Sequence, residues 1–159
     1  MLWWMVVALA AEPAIDGHYE RILTQDEVAV VHRAARLGTL GALPWVWRPF
    51  ARPVLPRVIY SCGQLDLSLN EAAFTLKCDD KPEERMARGP DGAPSPVHPR
   101  MHVQVAVDES SVWLDQSRSE GGMQTSFRLD GDVLVVTKSL YSSRMSHPTD
   151  WEVRYRVVR

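Results

Sequence analysis

Between residues 101 and 158 apolar and polar positions alternate in short runs separated by tight, polar turns. Residues 101–107, 123–129 and 151–157 each place large apolar side chains at every second position. A period of two is what a strand with one dry face and one wet face produces. Turn signals fall between these runs. Glu109-Ser110 predicts a hairpin joining strands 101–108 and 111–117, with Val107 opposite Val112, Val105 opposite Leu114, Gln104 opposite Asp115 and Ala106 opposite Trp113. Glu120-Gly121-Gly122 turns the chain again, and Asp130-Gly131 joins strands 123–129 and 132–140, a strong short-range hairpin signal. This turn predicts Phe127 opposite Leu134 and Thr125 opposite Val136. A Ser-rich connection over 141–148 leads to a last strand, 150–158, with Trp151, Val153, Tyr155 and Val157 on one face and Glu152, Arg154 and Arg156 on the other.

Upstream, Leu65, Leu67 and Leu69 form one apolar row, and Phe74, Leu76 and Cys78 form another after Asn70-Glu71. A turn at those two residues sets Leu67 against Phe74 and Leu65 against Leu76. Cys62 then falls opposite Asp79, one position from Cys78, and a bulge at Gly63 would bring the two sulfurs together. If the chain is exported, Cys62 and Cys78 are expected to form one disulfide; in a reducing compartment they read as free, partly buried thiols. Residues 83–87 read as a short strand. Residues 88–99, with Gly89-Pro90-Asp91-Gly92 and Pro94 and Pro96, read as a loop.

The helical period appears once. Thr24 and Glu27 spell a capping box, Leu23 and Val28 a hydrophobic staple, and Val28, Val31 and Ala35 an apolar stripe widened by Ala34. Arg33 and Arg36 favour the negative end of the helix, and Gly38 is a natural stop. The expected helix is 25–37, and residues 16–23 before it read as an extended lead-in. After it, Pro44, Pro49, Pro53 and Pro56 argue against long regular structure. Trp45, Trp47 and Phe50 lie there beside Arg48 and Arg52. The segment is expected to plug one end of the sheet; the alternatives are a ligand-gating lid or a patch for a partner.

A meander with one dry face must hide that face, and about eight strands is the size at which a sheet closes around its own side chains or one small ligand. The expected fold is therefore mainly β: an up-and-down antiparallel barrel of about eight strands, lipocalin-like, with one N-terminal helix and the Trp/Pro segment across one end. An open half-barrel wrapped on the helix is the alternative. Length adds that the 159 residues make one folded unit: an apolar leader over 1–10, the lead-in, helix and cap over 11–56, and the barrel over 57–159. Residues 2–10 carry no charge and end in Ala8-Leu9-Ala10, the apolar and cleavage parts of a secretory signal without its basic start. The alternative is an apolar segment packed on the body. The stretch is too short to span a bilayer, so no transmembrane span is expected; the signal reading gives the expected secreted or periplasmic location.

Charge and motifs remove several functions. A net charge of −2 gives no global attraction to nucleic acid, and no nucleic-acid partner is expected. Among His18, His32, His98, His102 and His147, only the pair at 98 and 102 is close, and in extended chain that spacing does not share a metal; His32 is placed beside the helix's apolar stripe. Asp79-Asp80 and Asp108-Glu109 sit at strand ends and read as turn formers. No nucleophile elbow, phosphate loop or dinucleotide fingerprint occurs. No catalytic residue, metal or cofactor is expected.

The run Leu65-Asp-Leu…Phe74-Thr-Leu, the stretch from Phe127 to Val136, and Ser143-Arg144…His147-Pro148 leading into Val153-Arg-Tyr-Arg156 resemble small bacterial envelope or secreted proteins with a lipocalin-like barrel. The likeness covers about two thirds of the chain and implies architecture, not activity. The Gly-x-Trp signature of ligand-carrying lipocalins is not present. The functional expectation is a monomeric, non-enzymatic barrel that binds a small apolar or anionic-apolar ligand. Trp45, Trp47, Phe50, Phe74, Trp113, Phe127 and Tyr155 are the expected lining, and Arg48 and Arg52 the expected clamp for an anion. The alternative is a structural or protein-interaction module with a filled barrel.

Overall fold

A computed structural model describes residues 12–159. The leader over 1–10 lies outside the described residues. The described residues form ten strands: β1 Gly17–Arg21, β2 Gln64–Leu69, β3 Ala73–Cys78, β4 Glu84–Ala87, β5 Gly89–Pro94, β6 His102–Val107, β7 Ser111–Arg118, β8 Gly121–Asp130, β9 Val133–Ser142 and β10 Thr149–Val157. All belong to one antiparallel sheet in the order β4-β3-β2-β1-β10-β9-β8-β7-β6-β5. Every hydrogen-bonded neighbour is a neighbour in sequence except one pair. That pair is β1 and β10, which zip the two ends of the chain together, with Tyr19 opposite Val157 and Arg21 opposite Tyr155. The only seam without a ladder falls between β4 and β5, which Arg88 alone connects and which lie against each other. The result is a nearly closed barrel. An even number of strands lets every neighbouring pair run antiparallel.

The dry face is the inside. Leu67, Phe127 and Val153 are all buried, and Tyr19, Phe74, Met86, Val112, Leu134 and Tyr155 are almost fully enclosed. Phe74 packs tilted against Phe127, with ring centroids 5.3 Å apart, an arrangement aromatic quadrupoles favour. The two buried tyrosines keep their hydroxyls satisfied: Tyr19 donates to the Ile15 carbonyl and Tyr155 to the Cys62 carbonyl, each at 2.8 Å. On the outside of β10, Glu152, Arg154 and Arg156 meet water. No described helix is long and apolar enough to cross a membrane.

The expected strand count of about eight falls short by two, and both omissions have a physical cause. The extended lead-in is the short strand β1. Only Tyr19 of its five residues is fully buried, and a single apolar position carries no period. The expected loop at 88–99 contains β5, whose composition is that of a turn. As an edge strand, β5 tolerates Pro90 and Pro94, because a missing N–H costs nothing where no neighbour receives it. A register shift between Gly89 and Ala93 marks a bulge, and β6 side chains complete the pairing: the Gln104 amide donates to the Pro90 carbonyl at 2.7 Å, and the His102 ring meets the Asp91 carbonyl at 2.9 Å. Gly92, at φ 65°, lies so near β6 that a Cβ would sit 2.7 Å from the Val103 carbonyl oxygen.

Two hairpins are shifted by two residues from the expected register. In β2–β3 the loop has three residues, because the Asn70 side chain accepts from the N–H groups of Ala72 and Ala73 at 2.9 and 2.8 Å. Leu65 therefore faces Cys78, Leu67 faces Leu76, and Leu69 faces Phe74. In β8–β9 the turn is Gly131-Asp132, with Gly131 at φ 63°, so Phe127 faces Val136 and Leu129 faces Leu134. A shift of two leaves every side chain on its expected face, where a shift of one would have inverted them all. The β6–β7 register is as expected at all four pairs.

The helix α1 spans Gln25–Ala42, five residues beyond its expected end. The capping box is present: Glu27 N–H donates to Thr24 Oγ1 at 3.3 Å, and Thr24 N–H to Glu27 Oε2 at 2.7 Å. Gly38 does not end the helix. It lets α1 approach β10, since a Cβ there would touch Thr149 Cγ2 at 3.4 Å. The true stop is Leu43, held extended before Pro44, and Arg33 and Arg36 consequently fall short of the last turn. Helix and strand run side by side in opposite directions: Ile22 N–H bonds the Arg154 carbonyl where the helix begins, and Ser146 N–H bonds the Ala42 carbonyl where it ends.

The Trp/Pro segment forms short turns with no long regular element. It folds into a 3₁₀ turn at Trp45–Trp47 and two single-turn helices, α2 Arg48–Ala51 and α3 Leu55–Val58. Pro49 and Pro56 begin these turns instead of breaking them, because a first-turn N–H has no helical partner to lose. Leu55 and Ile59 anchor the segment in the core, while Trp45 and Phe50 remain 79% and 68% exposed.

Cys62 and Cys78 form the expected disulfide, with Cα atoms 5.4 Å apart. No bulge at Gly63 is needed. Asp79 turns the chain instead, in the left-handed region at φ 50°, with its carboxylate accepting from the N–H groups of Gly63 and Gln64. The bridge closes a loop of 16 residues. The double substitution Cys62→Ser with Cys78→Ser is expected to lower stability by about 3 kcal/mol, measured by urea unfolding. The unmodified protein should take up a thiol label only after reduction.

Candidate functional site

The barrel interior leaves a cavity of about 80 Å3. Its walls are Leu65, Leu76, Leu114, Phe127, Val136 and Tyr155, with Thr125 and Gln116 among them. At its open end stand Tyr60, Lys81, Pro82, Glu84 and Lys138. That space is well under the ~300 Å3 at which drug-sized ligands begin to fit.

Lys138 is the residue that the alternation pattern least favours. It lies on the inner row of β9 with Leu134, Val136 and Leu140, opposite Thr125 on β8 and Trp151 on β10. Its amine donates to the Tyr60 carbonyl at 3.2 Å and stands 4.8 Å from the centre of the Tyr60 ring. Lys81 stands 4.1 Å from the same ring centre. The disulfide positions both partners of Lys138. It pins Cys62, two residues after Tyr60, and Cys78, whose carbonyl accepts from the N–H of Lys81 at 3.0 Å. The Tyr155 hydroxyl bond to Cys62 holds the same crossing from below.

Two ammonium groups thus share one aromatic ring, and neither pairs with a carboxylate among the described residues. Glu84 lines the same opening without reaching ion-pair distance of either. Enclosure makes the charged amine of Lys138 costly, and Lys81 adds repulsion; together they bring its pKa down to about 8. Cation–π attraction to Tyr60 offsets part of that cost. What the arrangement offers chemically is a receptor for one small anion beside an apolar wall.

A neighbouring cleft, lined in part by Arg21, His32, Arg36, Ser61 and Asp79, holds a His32–Ser61 hydrogen bond of 2.8 Å. Burial and then the charges of Lys138, Arg21 and Arg36 keep His32 below its usual pKa. No described carboxylate meets its other ring nitrogen, so the pair lacks the orienting group of a hydrolytic triad. Its visible role is to tie α1 to the chain crossing the barrel opening. Asp79 lies within metal-ligand reach of both cysteine sulfurs, but those sulfurs are bonded to each other and offer no thiolate.

Of the residues expected to line a ligand, Phe127 and Tyr155 do line the cavity, and Phe74 is sealed behind Phe127. Trp113 faces outward, 47% exposed, with its indole N–H on Asp108; Ala106 and Ser126, its cross-strand neighbours, share that outer face. Trp45, Trp47, Phe50, Arg48 and Arg52 are not among the residues lining the cavity; their turns are held to the core by Leu55 and Ile59, with Ala51 packed against it. Sequence reasoning missed Lys138, Lys81 and Tyr60. The lysine was detectable, as the single charge in an otherwise apolar inner row of β9; Tyr60 and Lys81 carry no such signal.

Comparison with protein families, curated proteins and solved structures finds no match for this chain.

Because the folded chain binds the Lys138 proton more weakly, the unfolded chain holds more protons between pH ~8 and ~10.4. Stability should therefore rise with pH across that window, and the penalty is fully present below it. Lys138→Met is expected to raise stability at pH 7 by about 2 kcal/mol and to flatten this rise, as read from urea unfolding at pH 7 and pH 10.

Proposed function

We propose that the protein is an exported, lipocalin-like barrel that binds a small anion carrying a short apolar tail at the opening defined by Tyr60, Lys81 and Lys138. One observation carries the reading: a half-enclosed ammonium without a carboxylate partner, at the rim of an apolar cavity. Folding leaves that charge uncompensated, and an anion at the opening would form charge-assisted hydrogen bonds with both lysines. The cavity of about 80 Å3 limits the apolar part to a few carbons. Long-chain fatty acids are excluded by size, which narrows the ligand class expected from sequence. The disulfide supports an oxidising compartment, secreted or periplasmic. No step of catalysis is proposed, and the protein acts as a monomer in this reading.

Isothermal titration with butyrate, hexanoate and laurate at pH 7 tests it. Butyrate or hexanoate should bind, laurate should not, and Lys138→Met should weaken binding about tenfold or more. Affinity should fall above pH 8 as the unliganded lysine loses its proton. Absence of any carboxylate binding, or binding that Lys138→Met leaves unchanged, would overturn the reading.

A further inference from the structure

From Val28 to Leu65 the chain contains five arginines, at 33, 36, 48, 52 and 57, and no Asp or Glu. The protein as a whole is net negative, so this segment is a cationic island on an acidic molecule. None of the five arginines forms an ion pair among the described residues. Arg33, Arg52 and Arg57 are exposed.

The same segment carries the largest exposed apolar side chains of the described molecule. Trp45, Phe50 and Val54 are 79%, 68% and 51% exposed, and Leu37, Val46 and Trp47 are exposed around them. The aromatic group is organised: Trp47 and Phe50 rings stand 6.1 Å apart, and the Arg144 guanidinium lies 3.7 Å over Trp47. Arg144 also pairs with Glu120 at 3.0 Å, and Asp150 and Glu152 of β10 line a groove beside Ala34 and Gly38 of α1. The acidic residues of α1, Asp26 and Glu27, lie in its first turn, about 10 Å along the axis before Arg33 at 1.5 Å per residue.

We infer that residues 33–57 form a docking surface for an anionic membrane, with Trp45 and Phe50 entering the headgroup region and the arginines meeting lipid phosphates. The charge argues for this occupant. Phosphate-rich lipid complements the three exposed guanidiniums of Arg33, Arg52 and Arg57, and Trp beside Arg is the pairing that prefers a membrane interface. Anchoring by Leu55 and Ile59 presents the turns rigidly, so little ordering entropy is lost on contact. This surface is independent of the Tyr60–Lys138 opening.

The test is co-sedimentation of the full chain with vesicles of phosphatidylcholine alone or mixed with phosphatidylglycerol. Binding is expected only to the mixed vesicles, and less at 0.5 M than at 0.1 M salt. Arg52→Gln with Arg57→Gln should weaken partitioning about fivefold per arginine, and Trp45→Ser with Phe50→Ser should abolish it. Arg128→Gln, an exposed arginine on the opposite part of the barrel sheet, should leave it unchanged. Equal binding to both vesicle types, or binding insensitive to both double substitutions, would overturn the inference. So would failure to bind either vesicle type, and a dimer that Trp45→Ser dissociates would then assign the patch to a second copy of the chain.

Discussion

The ladder between β1 and β10 is the contact on which the remaining structure depends. Every other hydrogen-bonded strand pair joins consecutive strands, and all of these but β1–β2 form across short connections. Without the first-to-last pairing the meander would remain an open ribbon with Leu67, Phe127 and Val153 facing water, and with two bare edges inviting association. Five residues of β1 supply that closure. They pair with β2 on one side and β10 on the other, and they bury Tyr19 in the middle of the core. The unladdered seam at β4 and β5 tolerates its missing bonds because the two strands are consecutive and Arg88 alone links them.

Closure also decides where the polar chemistry sits. The long connection between β1 and β2 must leave the sheet and return to it, and it carries α1, the Trp/Pro turns and Tyr60 in doing so. Its return is tied by the disulfide, by the Tyr155 hydroxyl and by the Asp79 carboxylate. Those ties place the Tyr60 carbonyl over Lys138. A lysine on an inner row would otherwise have no reason to be there. The interior below it is filled by aromatic and branched side chains, so specificity at the opening rests on charge and tail length, not on a deep pocket.

The two proposed surfaces divide the same connection between them. Its first part, up to Val54, packs α1 against β10 and exposes arginines and aromatic side chains to solvent. Its second half, from Leu55 to Cys62, is drawn down onto the core and builds the opening. The switch between them comes at Leu55 and Ile59, which are buried while their neighbours Val54 and Tyr60 are not. A segment that reads uniformly as aromatic and proline-rich thus performs two physical tasks, separated by where its apolar anchors fall.

Local periodicity was enough to specify the β6–β7 pairing, the face on which every central strand buries its side chains, the capping box of α1 and the proximity of Cys62 to Cys78. These depend on neighbours within a few residues, and a two-residue error in a turn does not change which face is dry. Tertiary structure alone decided the rest. β1 and β5 are strands because other strands accept their backbones, not because of any pattern they carry. Gly38 continues the helix because Thr149 lies close enough to need its missing side chain. Sequence reports which residues avoid water; only closure of the sheet determines which of them meet.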